Sequence, residues 1–125
     1  MRVYACDDQP HMTTLVKASL KRDQHQVETF SDGIYAWDRI RKQPPDLLIC
    51  DCEMPEMNGL ELCRRIREVP ELAGLPIIML TAKSYQLPEE RLKKDLQILE
   101  ILPKPFSPRE LRQLVMVVDK ATATV

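Results

Sequence analysis

Residues Leu47 to Gly59 read LLICDCEMPEMNG, an apolar run that stops at Asp51 with Cys50 and Cys52 on either side of the acid. Two chemistries are open to such a segment. The thiols could hold a metal or a redox bridge, or the Asp51 carboxylate could serve as ligand or nucleophile. The spacing speaks against the thiols: Cys6, Cys50, Cys52 and Cys63 give one C-x-C and two singletons, not the paired C-x2-C knuckles of cysteine zinc sites. Cys6, Cys50 and Cys63 lie among apolar residues, where a free thiol packs as a small hydrophobe. Cys52 is read as a loop neighbour of the acid, with an exposed, oxidisable thiol as the alternative. Three more places carry chemically capable side chains directly after apolar runs. Asp7 and Asp8 follow VYAC, Thr81 follows PIIML, and Lys104-Pro105 follows EIL.

The elements that must position these residues are legible from hydrophobic period. VYAC, LLIC and PIIML are continuously apolar, as strands covered on both faces are, while QVETF alternates like an edge strand. Between the runs lie helical patterns: Met12, Leu15, Val16 and Leu20 in a helix starting at Pro10; Ile34, Trp37 and Ile40; Leu62, Cys63, Ile66 and Val69; a weaker one from Leu87 to Leu96. Ser107-Pro108-Arg109-Glu110 is a capping box with proline at the first helical position, followed by Leu111, Leu114, Val115 and Val118. Strands alternating with helices predict an α/β domain with a parallel sheet and helices on both faces. Ligands bind such sheets at the carboxyl ends of the strands. Two adjacent acids, a third acid, a hydroxyl and a lysine all fall at those ends.

Charge then narrows the chemistry. Two unit charges about 4 Å apart repel by about 4 kcal/mol at an effective dielectric of 20, so three carboxylates in one cleft need a cation or a proton. Hard oxygen ligands with room for water suit Mg²⁺ (or Mn²⁺), and a lysine and a hydroxyl beside them suit an anion such as a phosphoryl group. An aspartate can accept that group as an acyl phosphate.

Length and composition bound the alternatives. A chain of 125 residues, 44% hydrophobic and 30% charged, suits one globular domain, expected over residues 1–120 with 121–125 as a tail or linker. The net charge of −1 argues against direct nucleic-acid binding. No apolar run approaches the length of a membrane span, and the start lacks the apolar region of a signal peptide, so a cytoplasmic location is expected.

CDDQP, LLICDCEMPEMNGLELCRRIR, IIMLTAK and LPKPFSPREL together resemble the receiver domain of bacterial two-component response regulators, in order and across the chain. The resemblance implies five parallel strands in order 2-1-3-4-5 sandwiched by five helices. It implies that Asp51 accepts a phosphoryl group from a histidine kinase or phosphotransfer protein. Asp8 and Asp51 would ligate the metal by side chain, Glu53 by its backbone carbonyl and Asp7 through water. Thr81 and Lys104, with Ala82 between sheet and loop, would bind the phosphoryl oxygens, and Lys104-Pro105 would be cis. Glu53 and Lys83 would tune how long the acyl phosphate lasts. The output surface would be the fourth helix, fifth strand and fifth helix, meeting a partner protein, an output domain or a second copy. On this reading the protein is not an enzyme, although it assists its own phosphorylation and dephosphorylation.

Ile101 departs from the family pattern: an aromatic commonly stands three residues before the lysine and packs inward when the threonine moves. Phe106 and Tyr85 are the nearest aromatics in sequence that could compensate. The alternative function is a phosphorylation-independent pseudo-receiver acting as an interaction module. An aspartate-nucleophile hydrolase, with Glu53 as general acid, would need a substrate-gating cap that 125 residues cannot supply.

Overall fold

The computed structural model describes residues 1–82 and 88–123. Five strands alternate with five helices: β1 (Arg2–Cys6), α1 (Pro10–Lys21), β2 (Gln26–Phe30), α2 (Gly33–Lys42), β3 (Leu47–Asp51), α3 (Gly59–Glu68), β4 (Ile77–Thr81), α4 (Glu89–Leu96), β5 (Glu100–Pro103) and α5 (Pro108–Ala123), with a 3-10 turn at Pro70–Leu72. All strand pairings are parallel and the order is β2-β1-β3-β4-β5, the order that the family resemblance implies. Every residue of β3 and β4 is buried, which is why both read as unbroken apolar runs. β2 lies at the edge and is largely exposed, but its burial does not alternate: Glu28 and Thr29 are both exposed, and Val27 and Phe30 pack against opposite cores.

Two cores fill the layers. On one face of the sheet, Cys6, Leu48, Cys50, Ile77, Met79 and Ile101 pack against side chains of α2, α3 and α4. On the other, Val3, Ala5, Leu47, Ile49, Ile78, Leu80 and Leu102 meet α1 and α5. A fully buried Leu or Ile contributes roughly 1.5–3 kcal/mol over an exposed one. The central strands, buried on both faces, therefore fix where their carboxyl ends lie.

Helix starts follow local chemistry. Asp32 caps α2, Asn58 caps α3 through the Glu61 amide at 2.9 Å, and the Ser107 hydroxyl accepts from the Glu110 amide at 3.1 Å as the capping box requires. α4 has no side-chain cap and buries only Leu96, which matches its weak sequence signal. Its C-terminus turns through Gln97 in the left-handed region (φ 54°). There Arg67 of α3 donates to the carbonyls of Leu96 (2.8 Å) and Gln97 (3.2 Å), and also to those of Ala73 (2.9 Å) and Leu75 (2.8 Å).

Three expectations change. Ile34 is not on the inner face of α2 but 42% exposed. Gly33, Ala36 and Ile40 form the buried row at three- and four-residue spacing, with Trp37 half-buried on its flank. α4 begins at Glu89, and Leu87 lies outside the described residues. α5 continues to Ala123, three residues past position 120. No described helix is long and apolar enough to cross a membrane.

Candidate phosphoacceptor site

The sheet gathers the chemically capable residues at one edge. Asp51 is the last residue of β3 and Thr81 the last of β4, both buried. Asp7 follows β1 and is buried, its amide donating to Phe30 O at 3.0 Å across to β2. Cys6 pairs with Cys50, so Asp7 comes out beside Asp51. Lys104 follows β5 with its amide donating to Thr81 O at 2.7 Å, and the Lys104–Pro105 peptide is cis. Asp8 and Glu53 are exposed at the rim. Asp8, Gln9, Asp51, Glu53, Ala82 and Lys104 line a polar pocket of about 200 Å³.

The distances within the pocket are short. One carboxylate oxygen from each of Asp7, Asp8 and Asp51 lies within 4.8 Å of the others. Lys104 Nζ sits 2.8 Å from Asp7 Oδ2 and 3.3 Å from Asp51 Oδ1, and donates to Gln9 Oε1 at 3.4 Å. Burial, and then the neighbouring Asp7 charge, push the Asp51 carboxyl up to about 6, with Lys104 pulling the other way. Burial alone would lower the Lys104 ammonium, but its bonds to Asp7 and Asp51 outweigh this and hold it above its ordinary value. Three carboxylates against one ammonium leave an excess negative charge. Their oxygens are hard, close together and open to solvent on the Asp8 side, a donor set that fits a partly hydrated Mg²⁺ or Mn²⁺. The same pocket offers an ammonium and a nucleophilic carboxylate to an incoming anion.

The loop between β3 and α3 is fastened at both ends. The Gly59 amide donates to Cys52 O at 3.1 Å, and a Cβ at position 59 would stand 2.3 Å from Asp51 O, so only glycine admits this approach. Midway, the amides of Glu56 and Met57 donate to the buried Asp32 carboxylate at 3.0 and 2.9 Å. Sequence reasoning passed over Asp32 and Gln9. The local signal for Asp32, an acid before glycine at a helix start, was available, but its bonds to residues 24 and 25 positions away were not.

Several sequence readings need correction. Cys52 is 6% exposed rather than an exposed thiol, and burial pushes it up to about 12 against a hydrogen bond from Thr81. A protonated, covered thiol is a poor nucleophile and a poor redox sensor. All four cysteines are free and buried. Phe106 cannot stand in for the missing aromatic, because it packs with α1 and α5 on the opposite face of the sheet from Ile101. Ile101 is 4% exposed, paired with Met79 and covered on the α4 side. Lys83 and Tyr85 lie outside the described residues.

Comparison with known proteins gives a consistent result. The family model "Response regulator receiver domain" matches residues 3–116. The Bacillus subtilis alkaline phosphatase synthesis transcriptional regulatory protein PhoP is 33% identical over 91% of the chain, which spans 46% of that protein. The sensor histidine kinase TmoS of Ectopseudomonas mendocina is 39% identical over 91% of the chain, which spans 12% of the kinase. The chain thus covers less than half of these relatives. Among solved structures, chemotaxis protein CheY4 of Vibrio cholerae superposes with a TM-score of 0.84 at 31% identity, covering 94% of this chain and 97% of that one. Thermotoga maritima TrrA, solved in complex with Mg²⁺-BeF, gives 0.81 at 29% identity over 94% and 97%.

Proposed function

The chain belongs to the response regulator receiver domain family, whose general function is phosphorylation on an aspartate in two-component signalling, and on that premise we propose that Asp51 is its phosphoacceptor. The observation that carries the assignment is Asp51 at a solvent-open pocket with Lys104 Nζ 3.3 Å from its Oδ1 and two further carboxylates beside it. In the proposed step the Asp51 oxygen bonds the phosphorus of a kinase or phosphotransfer-protein phosphohistidine. The N–P bond breaks, and the leaving imidazole takes up a proton. Asp8, Asp51 and the Glu53 carbonyl would hold the metal, with Asp7 assisting. A bound Mg²⁺ or Mn²⁺ supplies neutralisation of the charge on the group in transfer. Lys104 exchanges its contact with Asp51 for one with a phosphoryl oxygen, and the Thr81 hydroxyl and Ala82 amide donate to the others.

The readout we propose is the α4–β5–α5 side. It carries exposed Leu99 (52%) and Val117 (69%), and a groove of about 440 Å³ runs between β5 and α5 past Ile101, Leu114 and Val117. This surface suits a partner protein, an output domain or a homodimer. The TrrA complex supports a metal-dependent acyl phosphate mimic in a similar fold, while PhoP and TmoS support a domain that works within either a regulator or a kinase. A cytoplasmic location, without direct contact to nucleic acid or membrane, fits the charge of −1. The buried Ile101 favours one second reading, a pseudo-receiver that signals without phosphate.

The deciding experiment is intact mass after incubation with acetyl phosphate and Mg²⁺, alongside Asp51→Asn and an EDTA control. Gain of one phosphoryl group, absent from both controls, is the expected result. No gain, together with no beryllofluoride binding, would establish the pseudo-receiver.

A further inference from the structure

Asp32 does more than begin a helix. An N-cap needs one bond from its own helix, and Asp32 has it, accepting from the Ile34 amide at 3.1 Å. Its carboxylate is nevertheless buried at 5% exposure and takes two further bonds from Glu56 and Met57 on the loop that leaves Asp51. Burial would favour the neutral form, but the backbone donors outweigh it and keep the carboxyl below its ordinary range, so the group is a fixed anion. The two segments also clasp through backbone: Gly33 N donates to Met57 O at 3.2 Å, and a Cβ at position 33 would meet that oxygen at 2.3 Å. Met57 is itself buried. Without Asp32 the Glu56 and Met57 amides both lose their acceptor, and that of Met57 does so in a buried place.

We propose that Asp32 is a positioning residue for the phosphoacceptor site, its carboxylate joining the first turn of α2 to residues 56–57 so that the backbone from Asp51 to Gly59 holds the course that metal binding requires. The inference rests on the reading of Asp7, Asp8, Asp51 and the Glu53 carbonyl as the metal site. The contacts of Gly59 with Asp51 and Cys52 close the two ends of that backbone and Asp32 holds Glu56 and Met57, with Glu53 between Cys52 and Glu56. Groups that orient metal ligands from behind typically change metal affinity by roughly 10–100-fold when removed.

Asp32→Ser separates the two roles, because a serine hydroxyl caps a helix but is too short to reach across to the loop amides. Mn²⁺ binding, read from the free-ion electron paramagnetic resonance signal, needs no phosphorylation. Amide exchange at Glu56 and Met57 reports the loop, and exchange in α2 reports the cap. The expected result is Mn²⁺ affinity reduced by roughly tenfold or more, faster exchange at Glu56 and Met57, and retained protection in α2. Asp32→Asn, which turns an amide donor toward one of the loop donors, is the second variant and should move the affinity in the same direction. Equal affinity in wild type and both variants would overturn the inference and leave Asp32 a helix cap. No Mn²⁺ binding by the wild type would overturn this inference and the metal site together. Binding that Asp32→Ser weakens, in a protein that takes up no phosphoryl group, would support this inference and sink only the acceptor reading.

Discussion

The helices that follow β3 and β4 are built in opposite ways. α3 starts under constraint: Asn58 caps it, Gly59 lies against Asp51 O, and Asp32 holds the loop before it. α4 starts without a side-chain cap, buries one residue of eight, and is held chiefly at its far end by Arg67. The first arrangement braces the backbone that follows Asp51. The second leaves an element with few buried contacts, the one that a new charge on Asp51 would be expected to bias under the function proposed above. A receiver needs both, a rigid site and a yielding neighbour.

The largest effect should come from the rigid half. Asp51→Asn is expected to abolish phosphoryl uptake, and Lys104→Ala to slow it by orders of magnitude while Mg²⁺ still binds; single-turnover kinetics with acetyl phosphate would check both. Uptake unaffected in the lysine variant would show that the ammonium has no part in transfer.

Next is the energy stored at Asp51. Its carboxyl is raised from 3.8 to about 6, so the folded state holds this proton more tightly than the unfolded chain. That contribution is complete below pH 3.8 and lost as pH rises through 6, and its loss amounts to about 3 kcal/mol at most. Metal-free Asp51→Asn should therefore be more stable than wild type at pH 7, with the difference shrinking toward pH 4. Urea melts in EDTA at both pH values test this. A wild type equally stable at pH 7 would mean that Lys104 fully compensates the charge.

Arg67 tests the other half. Arg67→Ala strips three partly buried carbonyls and one exposed carbonyl of their donor and should cost about 2–3 kcal/mol, with amide exchange rising in α4 and around Ala73 before it rises in α3. Arg67→Lys should recover only part, because an ammonium cannot serve four carbonyls in a planar fork. Protection of α4 unchanged in the alanine variant would erase the contrast between the two helices.

The smallest effect concerns Lys83 and Glu53. If Lys83 tunes the acyl phosphate as the family resemblance implies, Lys83→Ala is expected to shorten its lifetime a few-fold. Dephosphorylation followed after removal of the donor would show it.

The layout of the candidate site is legible in local stretches of the chain. β1, β3 and β4 are short local runs whose apolar character follows from burial, and Asp7, Asp51 and Thr81 stand at or directly after their ends, with Lys104 directly after β5. Asp7, Asp51, Thr81 and Lys104 thus share one edge as soon as the sheet is parallel. The cap at Ser107 and the start at Pro10 are local in the same way. Packing of the layers set what depends on the face a residue meets or on bonds between distant segments. Ile34 and Ala36 compete for the inside of α2, and packing against the sheet seats the alanine. Phe106 and Ile101 are five positions apart, yet the sheet lies between them. Cys52 reads as a loop residue but is covered because the loop folds back over it. Asp32 and Arg67 act on backbone amides and carbonyls, which every residue carries. No pattern of side chains could announce those partners before the fold brought them together.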